Sequence, residues 1–121
     1  MDYSPTILDH FSNPRNVGEL LDADAVGTAG TPGRGNYLVL YLKLAEGCIT
    51  DCGFLTYGCP PAIAAGSVLT ELLKGMPTEQ ARNISAADIE AALGGLPLGK
   101  KHCAALAAEA LKGALDALSE A

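Results

Sequence analysis

The sequence predicts an α+β fold, a small antiparallel sheet of about three strands with a set of helices packed on one face. Two observations carry this. Apolar residues alternate at period two between Tyr37 and Tyr57, whereas everything after Gly58 reads as helix punctuated by Gly and Pro. Strands first and helices afterwards is the order of an α+β domain. The core material agrees: Trp is absent, aromatics are 5% of residues, and Leu and Ala, both good helix formers, supply most of the apolar volume.

Taken in order, residues 5–11 form a short helix, stopped by Asn13-Pro14. Turn residues then alternate with small apolar ones, and 25–31 supplies a short edge strand. Gly30, Gly33 and Gly35 around Pro32 make a loop with Arg34 at its tip. In the strand 37–44, Leu38, Leu40, Leu42 and Leu44 take one face and Tyr37, Val39, Tyr41 and Lys43 the other. Glu46-Gly47 turns the chain into Cys48–Tyr57, the returning strand of a hairpin, where parity puts Cys48, Cys52 and the core residue Phe54 on one face. Pro60-Pro61 opens a helix over 62–74 that Gly75 ends. A short helical piece covers 78–83. Ser85 with Asp88 makes a capping box for a helix to Leu93, closed by Gly94-Gly95, and the last helix runs over 103–118.

Length and charge narrow the function. The 121 residues, 49% apolar and 18% charged, fit a single domain over 1–121 with a buried core, which excludes a disordered chain. Acidic side chains outnumber basic ones 14 to 8, and no basic cluster exceeds Lys100-Lys101, so nucleic-acid binding is not expected. No apolar run approaches the ~18 residues that span a bilayer. The N-terminus carries Asp2 and Asp9 rather than a basic leader, so a cytoplasmic protein without membrane contact is expected. In that compartment the four cysteines are thiols or metal ligands rather than a disulfide framework.

Cys59 stands between a strand end and a helix start, where unpaired N–H groups and the helix dipole favour a thiolate. His102-Cys103 takes the same position before the last helix and offers two soft or borderline ligands in one turn. A buried, structural cysteine is the plain alternative at each place. Cys48 and Cys52 are read as core residues, since seven extended steps leave Cys52 about 23 Å of chain from Cys59. Gly33-Arg34-Gly35 lacks the following Lys-Ser/Thr and the helix of a phosphate loop, and His10 reads as packing or surface.

Together these residues resemble the iron–sulfur cluster assembly scaffold family of the IscU/NifU N-terminal type. Ile7-Leu8-Asp9-His10-Phe11, then Asn13-Pro14-Arg15-Asn16-Val17-Gly18, look like that family's opening; Thr56-Tyr57-Gly58-Cys59 with Ala62-Ile63-Ala64 look like its second cysteine motif. Thr70-Glu71 and Lys74-Gly75 continue the match, and Leu96-Pro97 through Lys100 to His102-Cys103 resemble the third motif. The resemblance covers nearly the whole chain and implies the IscU/NifU N-terminal-like fold. It also implies that Cys59, His102 and Cys103 converge to bind a transient [2Fe–2S] cluster or iron, or Zn²⁺. Thiolates are the ligands such clusters need.

The first motif departs from the family. Where the family has Cys-Gly-Asp, this chain has Arg34-Gly35-Asn36, so a thiolate gives way to a cation and a carboxylate to an amide. A guanidinium placed beside Cys59 and Cys103 is expected to hold them as thiolates while weakening metal binding. Leu96-Pro97-Leu98-Gly99-Lys100 replaces the family's Leu-Pro-Pro-Val-Lys, which counts against docking of an Hsp70-type chaperone.

The function implied is a scaffold that binds iron or a [2Fe–2S] cluster for transfer to acceptor apo-proteins, a binding protein rather than an enzyme. A cysteine desulfurase would deliver sulfur, with Cys103 as acceptor. The alternatives are a degenerate paralogue acting as a desulfurase-binding or persulfide-relay module, and a zinc-binding protein. Monomer and homodimer both stay open, a homodimer offering Cys59 and Cys103 from each subunit to one cluster. Cys59 and Cys103 are expected to be the accessible thiols, Cys48 and Cys52 the buried ones.

Overall fold

The computed structural model describes residues 3–119; Asp2 and the two chain ends lie outside them. Helix α1 (Pro5–Ser12) precedes strands β1 (Ala25–Gly30), β2 (Tyr37–Ala45) and β3 (Cys48–Tyr57), then helices α2 (Pro60–Leu73), α3 (Thr78–Ala81), α4 (Ala86–Ala92) and α5 (His102–Ser119). A single 3₁₀ turn, Leu98–Lys100, leads into α5. The strands form one antiparallel sheet in the order β1-β2-β3, as expected.

The sheet follows from alternation. Leu38, Leu40 and Leu42 of β2 are fully buried, and Ala25 and Ala29 of β1 join them on the helix-covered face. Glu46 and Gly47 both take positive φ, 53° and 80°, the two-residue geometry that matches strand twist in a tight hairpin. Parity then breaks. Lys43 faces Asp51 but Leu44 faces Ile49, so Thr50 is an extra residue in β3. The bulge turns Ile49 into the core and leaves Cys48 only half-buried, so Cys48 does not share the buried face of Cys52 and Phe54. Backbone from two other segments covers the outer edge of β3: Phe54 donates to Asn16 and accepts from Gly18, while Ile49 donates to Met76 and accepts from Gly75.

The helices are laid on the sheet by small residues. Helix α5 packs chiefly on β1 and β2, and α2 on β3. Gly66 lets α2 settle on the Phe54 ring, which would stand 2.5 Å from a Cβ at that position. Pro60 and Pro61 occupy the first two positions of α2, where a missing N–H costs no helical hydrogen bond. The Ser85–Asp88 capping box forms as expected and opens α4. Ser4 caps α1, accepting from the Ile7 N–H at 3.0 Å, and its hydroxyl donates to the Leu93 carbonyl at the end of α4. These placements bring the N-termini of α2 and α5 to the same end of the molecule.

Candidate metal centre

Cys59 is the N-cap of α2, extended at φ −83° and ψ 171°, and its carbonyl accepts from Ala62 and Ile63. His102 and Cys103 open α5. Residues 44 apart in sequence thereby meet: the Cys59 and Cys103 sulfurs are 3.6 Å apart, and His102 Nε2 is 3.7 Å from Cys103 Sγ. All three donor atoms lie within 4.8 Å of one another, and both cysteines are free thiols. Cys59 is half-buried, His102 exposed, and Cys103 closed in at 1% exposure.

This spacing suits one ion. Two thiolates on a tetrahedral ion with metal–sulfur bonds of about 2.3 Å stand about 3.8 Å apart, and a thiolate and an imidazole nitrogen about 3.6 Å. Three donors leave the fourth position open to solvent-side ligands.

Protonation differs from the expectation for a helix start. Burial, then the hydrogen bond and charge of Cys59, push the Cys103 thiol up to about 12, with only Lys100 opposing. Removing water from the thiolate is the largest cause of the rise. Arg34 lies exposed at its loop tip, and Lys100 is the cation that opposes the rise of the Cys103 thiol. Asn36, also exposed, keeps its side chain beside Gly58, whose Cβ would stand 3.6 Å from the Asn36 Oδ1.

The remaining cysteines divide unexpectedly. Cys52 is 2% exposed and its thiol donates to the Thr70 carbonyl at 3.2 Å; burial pushes it up to about 12. Cys48 is half-buried. The expected pairing of accessible Cys59 with Cys103 against buried Cys48 with Cys52 therefore fails for one member of each pair. His10, read from sequence as packing or surface, is buried in a polar network with Ser67 and Glu71. Ser67, Thr70 and Glu71, spaced three and four apart on an otherwise apolar helix, were the available signal.

A dithiol and an imidazole, presented where two helices begin on a small α+β domain, are a donor set that could hold a soft or borderline metal ion. Comparison with known proteins places the chain in a family. The NifU-like N-terminal domain matches residues 2–120. The iron–sulfur cluster assembly scaffold protein IscU 1 of Archaeoglobus fulgidus is 48% identical over 113 residues, covering 93% of this chain and 74% of that protein. The IscU scaffold protein of Azotobacter vinelandii is 43% identical over 119 residues, covering 95% and 92%. Among solved structures, the N-terminal part of a nitrogen-fixing NifU-like protein from Brucella abortus superposes with a TM-score of 0.73 at 21% identity, covering 97% of this chain and 94% of that one. The chain belongs to the NifU-like N-terminal domain family, with IscU scaffold proteins among its relatives.

Proposed function

We propose that this chain is an iron–sulfur cluster assembly scaffold that holds iron or a nascent [2Fe–2S] cluster as cargo on Cys59, His102 and Cys103 and passes it to acceptor apo-proteins. The donor spacing carries this reading: contacts of 3.6 and 3.7 Å match a shared tetrahedral ion before any ion is bound. Cys59 and Cys103 supply thiolates once metal displaces their protons, and exposed His102 forms the solvent side of the site. Three ligands and one open position suit cargo that has to leave.

The partners implied are a cysteine desulfurase as sulfur source and the acceptor apo-proteins. An Hsp70-type chaperone fits less well, because Leu98–Lys100 is wound into a 3₁₀ turn rather than extended. Among the described residues no helix is long and apolar enough to cross a membrane. Four free cysteines suit a reducing, cytoplasmic setting.

Anaerobic reconstitution with ferrous iron and sulfide tests the reading, followed by visible absorbance and counting of iron and zinc. Bound iron with sulfide, lost in Cys59→Ala, is the expected result. Zinc alone would identify a zinc-binding protein, and equal iron in the natural chain and Cys59→Ala would sink the assigned ligands.

A second reading, a persulfide relay, is favoured by one observation. The exposed Arg34 and Asn36 bring no thiolate to the centre, which leaves it with a contacting pair of sulfurs.

A further inference from the structure

The two sulfurs of the centre touch, yet they are unequally open to the outside. Cys59 is half-buried on the short stretch between exposed Tyr57-Gly58 and Pro60, whereas Cys103 is 1% exposed. An external sulfur donor therefore reaches Cys59 first. Cys103 lies behind it, its sulfur 3.6 Å from Cys59 Sγ and 3.7 Å from Nε2 of exposed His102. Cys52, the other buried thiol, is held away from them by its hydrogen bond to Thr70 on the far part of α2.

We propose that the metal-free pair reduces sulfane sulfur: Cys59 accepts a sulfur atom from a protein or small-molecule persulfide, and Cys103 displaces it as hydrogen sulfide. This deepens the reading that sulfur is delivered to this centre, and rests on it. In the first step the Cys59 thiolate attacks the outer sulfur of R–S–SH, giving Cys59–S–SH and releasing R–SH. In the second, Cys103 attacks the inner sulfur of that persulfide. The Cys59–Cys103 bond forms, the bond to the outer sulfur breaks, and the proton of Cys103 leaves with it as H₂S. The balance closes: two thiols and R–S–SH become one disulfide, R–SH and H₂S. The sulfane sulfur gains two electrons and the two cysteines lose one each, so no other reductant is needed.

The geometry suits the second step. Closing from 3.6 Å to a disulfide bond of about 2.05 Å asks the sulfurs to approach by about 1.6 Å. Cys59 is the less enclosed member of the pair, and its side chain makes no cap hydrogen bond that the closure would break. A third thiolate on the Arg34 loop would compete for the same sulfur; exposed Arg34 does not.

The test uses the metal-free chain and glutathione persulfide, anaerobically, with no added reductant. The expected products are about one equivalent of sulfide and a chain lighter by about 2 Da, with Cys59 and Cys103 linked in the peptide map. Cys103→Ala should instead retain an adduct of about 32 Da on Cys59 and release at least about tenfold less sulfide. Sulfide release at the natural rate from Cys103→Ala would overturn the proposal. So would a natural chain that keeps the adduct, or a disulfide that maps to Cys48 or Cys52. The map of the natural chain decides the matter without any variant. Iron counted after separate reconstitution distinguishes the two readings: sulfide and disulfide without iron leave this inference standing and remove the scaffold, and iron without sulfide does the reverse.

Discussion

Gly27 of β1 lies directly under Ala110 of α5, where a Cβ would collide with the Ala110 carbonyl and the Ala114 backbone. That absent side chain sets how closely α5 approaches the sheet, and α5 carries His102 and Cys103 at its start. Gly27→Val should cost at least about 2 kcal/mol, the upper part of the range for overpacking, because the opposing atoms are backbone and cannot rotate away. Thermal unfolding followed by circular dichroism should show a drop in Tm of roughly 8 °C or more. An unchanged Tm would show that the strand and helix do not meet as described.

Thiol reactivity should follow burial rather than proximity to helix starts. Cys48 and Cys59 are half-buried, while Cys52 and Cys103 are closed in with thiols pushed up to about 12. Timed alkylation of the native metal-free chain, read by peptide mass spectrometry, should label Cys48 and Cys59 at least about tenfold faster than the other two. Urea should erase the difference. Early labelling of Cys103 would contradict its burial.

Stability should decline in mild acid through His10. Its Nδ1 stands 2.7 Å from Ser67 Oγ and its Nε2 3.4 Å from Glu71 Oε1. The Ser67 oxygen already accepts from the Arg15 N–H at 2.9 Å, so its hydroxyl proton is free to donate to a neutral Nδ1. Burial first, then the charge of Arg15, lowers the His10 pKa below 6.5, against the pull of Glu71 and Asp9. A histidine held neutral in the fold contributes fully above the unfolded pKa of 6.5, and the contribution is lost as pH falls below it. Urea midpoints between pH 7.5 and 5 should therefore fall, and His10→Gln should flatten that slope. A slope equal to the natural one in His10→Gln would assign the effect elsewhere.

Restoring donors on the glycine loop should strengthen metal retention. Arg34 is exposed, and Asn36 already packs beside Gly58, next to Cys59. The double change Arg34→Cys and Asn36→Asp replaces a cation by a thiolate and an amide by a carboxylate, both favourable to a bound cation. Iron retained after desalting should rise several-fold over the natural chain, counted by colorimetry. Equal retention in both proteins would remove the loop from the site.

Much of this architecture was legible in the residues. Leu38, Leu40 and Leu42, with Glu46-Gly47, specify the β2–β3 hairpin; Ser85 with Asp88 specifies the start of α4; Pro60-Pro61 that of α2. Each signal acts within a few positions, so local chemistry settles it. The residue types at Cys59, His102 and Cys103 likewise announced a soft-metal donor set, although their convergence came from family resemblance. Only tertiary structure decided the rest. The bulge at Thr50 that swings Cys48 off the buried face depends on how β3 pairs with β2 and with the backbone of Gly75 and Met76. The neutral His10 requires α1 to dock on α2, and the closed position of Cys103 requires α5 to lie against a sheet opened by Gly27. Burial and its effect on a thiol or imidazole are sums over neighbours distant in sequence, and no short stretch of residues contains them.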